Sequence, residues 1–178
     1  MSGLVPAYEM QAAVRGAWTT DPDLWGAVPR VGNARWNNVR IVAGSIGYRL
    51  PTEAQWEFAA KGGSSPAAGF TFAGSNNAND VVWHNANSGR STREVGRLQG
   101  NCLGLYDMSG LVWEWIWDWR GAYTSESKTD PEGPTSGSFR VIRGGSWDSS
   151  ASSARSVGRG SSNPGAQSHN FGFRLARP

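Results

Sequence analysis

The stretch that decides the fold runs from Gly104 to Trp119 and reads GLYDMSGLVWEWIWDW. Tryptophan occupies every second position of its last part, at Trp113, Trp115, Trp117 and Trp119. Successive side chains of a β-strand point to opposite faces, so this alternation predicts a strand with one tryptophan-lined face. We expect the strand to be central and its tryptophans to pack in or near the core.

A short helix is predicted upstream, within the segment Gly47 to Gly63 (GYRLPTEAQWEFAAKGG). Thr52 is a good N-cap, Gln55 completes a capping box, and Gly62 provides a stop signal. The apolar positions expected to face the core are Trp56, Ala59 and Ala60.

Two further strands are predicted downstream, at residues 139–143 and 171–175. Residues 1–47 contain many Gly, Pro and Asn residues and indicate loops and short strands. Residues 64–100 form a polar stretch that we expect to be an ordered surface excursion. The expected architecture is a single α+β domain over residues 1–178, loop-rich, with short strands and few helices.

Composition excludes several classes of function. The net charge of +3 comes mainly from scattered arginines, so no basic block suggests nucleic-acid binding. Cys102 is the sole cysteine, which excludes an intrachain disulfide and a two-thiol site. The apolar runs are too short to span a membrane, and Met1 to Leu4 carry no signal-peptide pattern. Display on a virus particle or cell surface would need another part of the protein.

Three blocks together resemble the formylglycine-generating enzyme (sulfatase-modifying factor) family. They are the helical segment Gly47 to Gly63, the stretch Gly104 to Trp115, and RGGSW at residues 143–147 followed by GFR at residues 172–174. The resemblance implies a C-type lectin-like fold of the formylglycine-generating enzyme subtype. Relative to that family the chain is short at its N-terminal end.

The family's enzymes bind copper through two cysteines that follow the RGGSW block. This chain has Ser149 and Ala154 at the matching positions, and neither side chain supplies the thiolate that Cu(I) prefers. A related branch holds iron with histidines, but only His84 and His169 are present, and both are expected to be ordinary surface residues. We therefore predict a non-enzyme that needs no cofactor. The alternative is a metal-dependent oxidoreductase of the formylglycine-generating or sulfoxide-forming type.

The most informative stretch is residues 148–171, DSSASSARSVGRGSSNPGAQSHNF. Every residue except Gln167 can be encoded by a codon that ends in C, and Lys, Glu, Met and Trp are missing. Randomising the adenines of AAC codons produces this residue set. The stretch, between RGGSW and GFR, resembles the variable region of proteins diversified by retroelements. A plain flexible Gly/Ser loop and an unknown enzyme remain as alternatives.

This resemblance implies a hypervariable surface that binds a macromolecular ligand, which we expect to be a protein. We expect Ala151, Ala154, Arg155 and Arg159 to point inward or to brace the segment. The residues predicted to contact the ligand from one exposed face are Asp148, Ser149, Ser150, Ser152, Ser153, Val157, Gly158, Gly160, Ser161, Ser162, Gly165, Ala166, Ser168, His169 and Asn170.

The same family likeness implies a structural calcium site. Asp107, Gly110, Val112 and Glu114 match the family's calcium ligands, through two side chains and two backbone carbonyls. The alternative is that the two carboxylates simply hydrogen-bond to nearby backbone or arginine groups. Calcium-dependent sugar binding is not expected, because the chain has no Glu-Pro-Asn or Gln-Pro-Asp tripeptide.

Overall fold

The computed structural model describes residues 5–14, 16–65 and 69–177, so Met1 to Leu4 lie outside the described residues. The chain divides into two compact units. Unit 1 contains the residues up to Leu50, together with Asn163–Ala166 and the residues from Leu175 onward. Unit 2 contains Pro51–Ser162 and Gln167–Arg174. Among the described residues, no helix has the length and apolar character needed to cross a membrane.

Unit 1 is built on a small antiparallel sheet. Its strands are β1 (Tyr8–Gln11), β2 (Trp18–Thr19) and β3 (Arg40–Ile41), in the order β2-β1-β3. A 3-10 helix spans Pro22–Leu24, and helix α1 spans Ala34–Asn37. These short elements agree with the loops and short strands predicted for this part of the chain.

Unit 2 carries the longer elements. Its helices are α2 (Glu53–Ala60), α3 (Ala78–Val81) and a 3-10 helix at Ala151–Ala154. Its strands are β4 (Val82–Trp83), β5 (Ser109–Gly110), β6 (Trp113–Trp119), β7 (Arg140–Arg143), β8 (Arg159–Ser162) and β9 (Phe171–Gly172). β4 and β5 form a parallel pair, and the larger sheet has the order β8-β7-β6-β9.

Helix α2 forms as the sequence predicts. The Thr52 side chain accepts from the Gln55 backbone N–H at 3.2 Å, and the Gln55 side chain accepts from the Thr52 N–H at 3.1 Å. The helix ends with a Schellman-type pair of bonds, in which Gly62 has a φ of +89° and the Gly63 N–H donates to the carbonyl of Phe58. Both ends of α2 are therefore specified by local sequence.

Strand β6 has the predicted limits, and its more deeply buried face is the one without tryptophan. The tryptophans from Trp113 to Trp119 are half-buried, whereas the residues between them, Glu114, Ile116 and Asp118, are buried. Ile116 packs against Trp56 of α2, which is 1% exposed. The tryptophans thus lie near the core, and the burial of acidic residues on the opposite face is what the sequence did not predict.

The other strands differ from the prediction in extent. β7 and β9 are shorter than predicted, and they do not pair with each other: β7 is antiparallel and β9 parallel to the central strand β6. β8, which the sequence did not reveal, lies inside the predicted variable stretch and pairs antiparallel with β7. The fold class is nevertheless confirmed, since unit 2 combines short strands, few helices and long connections.

Candidate ligand-binding surface

The segment from Asp148 to Phe171, here called the display segment, begins with a tight cluster of hydroxyls. The Ser146 hydroxyl donates to Asp148 Oδ1 at 2.6 Å and lies 2.6 Å from the hydroxyl of Ser149. The Ser149 N–H donates to the Ser146 carbonyl, and its carbonyl accepts from the N–H of Asn85. The first residues of the segment are therefore held by local bonds and by one neighbouring loop.

The 3-10 helix at Ala151–Ala154 anchors the segment to the protein interior. Ala154 is 1% exposed and packs with Phe72, Val81 and Val82. Gly145 approaches it so closely that a Cβ on that glycine would lie 3.0 Å from the Ala154 backbone, and Gly145 has a φ of +74°. A small residue is thus required on each side of this contact.

A buried arginine fixes the turn that follows. Arg143 of β7 is 0% exposed, and its guanidinium donates to the carbonyls of Ser156, at 3.1 Å, and Gly158. The same guanidinium pairs with the carboxylate of Glu57 in α2. The turn is therefore held by a charged side chain of β7 that also pairs with helix α2.

Arg159 continues this bracing at the start of β8. Its guanidinium binds both carboxylate oxygens of Glu53, at 2.8 and 2.7 Å, and donates to the carbonyl of Gly121 at 2.6 Å. It also lies 4.4 Å from the ring centre of Tyr123. The predicted bracing role of Arg159 is supported by these contacts.

The two ends of the display segment meet. The Asn170 amide donates to Oδ1 and Oδ2 of Asp148, at 3.0 and 3.1 Å, and accepts from the Ser168 hydroxyl at 2.6 Å. His169 Nε2 lies 3.6 Å from Asp148, and its ring is 5.4 Å from that of Trp147. Partial burial acts to raise the pKa of Asp148, but hydrogen bonds from Ser146 and Asn170 outweigh it and hold the pKa below its usual value. Asp148 is therefore anionic at neutral pH and supplies negative charge at the junction.

None of the fifteen predicted contact residues is buried. Nine are half-buried, and all except Gly165 and Ala166 belong to unit 2. The exposed ones are Asp148, Ser150, Ser152, Val157, Ser168 and His169. Which of them contacts a ligand stays a prediction.

Two sequence-based placements are wrong. Arg155, expected to point inward or to brace the segment, is exposed. His84, expected on the surface, is 9% exposed, and its ring nitrogens lie 3.3 Å from the Asn79 side-chain oxygen and from the Ala86 N–H. His84 is thus part of a loop's internal hydrogen bonding, and within the described residues no cluster of three metal-binding side chains exists.

The predicted calcium ligands are placed in a way that does not fit a calcium shell. Both oxygens of Glu114 accept from Arg174 at 2.6 Å, and one also accepts from Trp56 Nε1 at 2.7 Å. Asp107 accepts from the N–H of Gly96 at 2.7 Å. The Gly110 carbonyl accepts from the N–H of Val112 at 2.9 Å. A guanidinium already occupies the position beside Glu114 where a cation would have to bind, so calcium binding stays a prediction with an unfavourable geometry.

The buried acidic and basic residues of unit 2 were missed by sequence reasoning. Glu53, Glu114 and Asp118 are 3–6% exposed. The one available signal was the pattern Trp-Glu-Trp-Ile-Trp-Asp-Trp in β6, where acids share a face with Ile116. The arginines that pair with Glu53 and Glu114, namely Arg143, Arg159 and Arg174, lie far away in sequence, and no local pattern identifies them.

This fold is a C-type lectin-like fold of the formylglycine-generating enzyme type. The sequence model of one protein family, the sulfatase-modifying factor enzyme 1-like domain, matches residues 17–178, and the chain belongs to this family.

Individual relatives refine this assignment. The chain is 39% identical over 153 residues to chaperone protein LppX of Paenibacillus barcinonensis, covering 76% of this chain and 50% of that protein. It is 38% identical over 160 residues to the formylglycine-generating enzyme of Streptomyces coelicolor, covering 79% and 50%. The chain thus spans about half the length of these curated relatives.

Among solved structures, Treponema denticola variable protein 1 matches with a TM-score of 0.85 and 38% identity, over 98% of this chain and 63% of that one. The predicted resemblance to a variable protein with this fold is therefore confirmed.

Proposed function

We propose that the chain is a non-enzymatic binding protein whose display segment contacts a macromolecular ligand, a protein. The observation that carries this proposal is the division of labour within residues 148–171: Ala154 and Arg159 are tied to the interior, whereas none of the contact residues is buried. The structural likeness to a variable protein supports it.

A segment fixed at several points loses little conformational freedom when it binds. Ala154, the Ser156–Gly158 turn and the Asp148–Asn170 bonds hold its backbone in place. The exposed side chains between these points can therefore change identity without changing the path of the chain. Serine-rich surfaces bind weakly, since binding hot spots favour Trp, Tyr and Arg, so this sequence itself should bind with modest affinity.

A paired-library experiment tests the proposal. One library randomises Ser150, Ser152, Val157, Ser168 and His169 with codons ending in C. A second library, matched in size, randomises exposed residues outside the display segment. Both libraries are displayed and selected against the same unrelated folded protein.

The matched library randomises five exposed residues elsewhere in unit 2, namely Arg90, Ser91, Thr92, Glu94 and Val95. We expect saturable binders from the first library and few or none from the second. Equal yields from the two libraries would contradict the proposal.

The oxidoreductase alternative makes an opposite prediction that the purified protein can decide. The resemblance matches Ser149 and Ala154 to the family's copper-binding cysteines, and Ala154 is buried without any ligating atom in its side chain. The Cys102 thiol instead donates a hydrogen bond to the carbonyl of Gly62. We expect no stoichiometric copper or iron by elemental analysis, and no oxygen consumption with a cysteine-containing peptide. Either positive result would favour the enzyme.

A further inference from the structure

Unit 2 contains a cleft of about 910 Å³, to which the display segment contributes Val157 and Arg159. Its walls come from helix α2, from the connection between β6 and β7, and from the start of β8. Large apolar side chains in these walls are solvent-exposed: Phe58 is 56% exposed and Tyr123 70%. The cleft therefore offers apolar surface that the described residues of unit 2 do not cover.

Two of the carboxylates that line the cleft already have cationic partners. Glu53 is bound through both oxygens by Arg159, and Glu57 pairs with Lys61 at 2.6 Å and with Arg143. The remaining charged lining residues, Glu126 and Lys128, are exposed to solvent.

Asp118 is different, because it is buried and forms no ion pair with any of the described residues. It is 3% exposed, and its Oδ2 accepts one hydrogen bond, from the backbone N–H of Glu53 at 2.8 Å. No Lys, Arg or His nitrogen of the described chain pairs with it. Burial raises the pKa of Asp118 to about 6, with a smaller raising effect from the Glu53 carboxylate, and the Glu53 N–H and the nearby Arg159 guanidinium only partly oppose this rise. Leaving a buried carboxylate without a cation is costly.

We propose that this cleft binds an organic cation, an alkylammonium or alkylguanidinium group on a short apolar stem, with the charge paired to Asp118. The stem would pack on the exposed rings of Phe58 and Tyr123, which accept both apolar and cationic groups. Pairing with the ligand would supply the counter-charge that Asp118 lacks among the described residues, and a perturbed carboxylate in a cleft is a common mark of a binding site. The cleft shares Val157 and Arg159 with the display segment, but its proposed ligand and the test below do not depend on the role proposed for that segment.

The test is an NMR titration of the full chain with n-butylammonium at neutral pH, with n-butanol as the neutral probe of equal stem length. We expect saturable shifts at the amides of Phe58, Gly121 and Tyr123 with butylammonium, and weaker or no saturation with butanol. Asp118→Asn keeps the acceptor for the Glu53 N–H and removes the charge, so it should fold and bind butylammonium about tenfold more weakly or worse. Glu94→Gln, which removes an exposed carboxylate outside the cleft, should bind as the parent does.

One further probe identifies the source of the cation. A short peptide with one lysine that binds more tightly than butylammonium would assign the site to a side chain of a protein partner, whereas equal binding would assign it to a free amine. Equal binding of butylammonium to the parent and Asp118→Asn proteins would overturn the proposal. So would the absence of any saturable shift with all the cationic probes when the protein is folded.

Discussion

The buried carboxylates of unit 2 and the exposed serines of the display segment are held in opposite ways. The carboxylates of Glu53 and Glu114 are bound by Arg159 and Arg174, residues 106 and 60 positions away. On the display segment, the serine hydroxyls bond mostly to residues two or three positions away, as Ser150 does to Ser152 at 2.8 Å. Stability thus depends on a few long-range partners, and the exposed serines are replaceable. The following predictions test that difference, in order of decreasing expected effect.

The largest loss of folding stability is expected from Trp56→Ala. Trp56 is 1% exposed, packs in the main core, and donates its indole N–H to Glu114, so its removal leaves both a cavity and a lost hydrogen bond. The change should lower the free energy of unfolding by about 3–5 kcal/mol, measured by urea denaturation.

Trp115→Ala is the matched comparison for that change. Trp115 is half-buried and stacks edge-on against Phe171 at 5.4 Å, so a smaller loss of about 1–3 kcal/mol is expected. If Trp115→Ala lowered the free energy of unfolding as much as Trp56→Ala, the tryptophan face of β6 would be the principal core surface.

Arg143→Met should lower the free energy of unfolding by about 3–4 kcal/mol. The methionine fills part of the volume, but the Ser156 and Gly158 carbonyls lose their donor and Glu57 loses one of its cations. Arg97→Met provides the control, because its ion pair with Glu94 is exposed and should contribute no more than about 0.5 kcal/mol. If the two variants melt at the same temperature, the buried arginine does not brace the segment.

The pH dependence of stability should differ between the parent and Asp118→Asn. The folded pKa of Asp118 is about 6, above its ordinary value of 3.8, so the folded state favours the protonated form. The contribution of Asp118 is therefore most favourable below about pH 4 and is lost as the pH rises through 6, where the carboxylate must ionise while buried.

We expect the stability of Asp118→Asn relative to the parent to increase between pH 4 and pH 7, by at most about 3 kcal/mol. Urea denaturation at unit steps of pH measures this difference, and Glu94→Gln serves as the charge-matched control. A difference that stays constant with pH would mean that Asp118 titrates normally in the folded protein.

Local signals in the sequence predicted the parts of the fold that local interactions determine. The capping box at Thr52, the stop at Gly62 and the limits of β6 all depend on residues within a few positions of one another. The inward face of β6 could not be predicted in this way. Glu114 is buried because Arg174 pairs with it, and a single sequence does not show which arginine will meet which acid.

The candidate site shows the same difference between features that depend on local sequence and features that depend on distant residues. Its limits followed from its composition and its flanking motifs, and these were visible in the sequence. Strand β8 within it was not, because Arg-Gly-Ser-Ser has low strand propensity and pairs with β7 through its backbone. The cleft at Asp118 was also not visible, since its walls come from α2, β8 and the connection after β6, which are distant in sequence.

The smallest effect is expected on the display segment itself, where two neighbouring positions give opposite results. Ser152 is exposed, so Ser152→Tyr should change the free energy of unfolding by no more than about 0.5 kcal/mol. Ala154, two residues later, lies against Gly145 and Phe72 without space for a larger side chain, so Ala154→Leu should cost about 1–3 kcal/mol by overpacking. Thermal melts of the two single variants, both made within the same four-residue helix, compare an exposed position with an anchor. Should Ser152→Tyr destabilise the protein as much as Ala154→Leu, the exposed serines would be part of the packing, and the segment could not accept varied sequences.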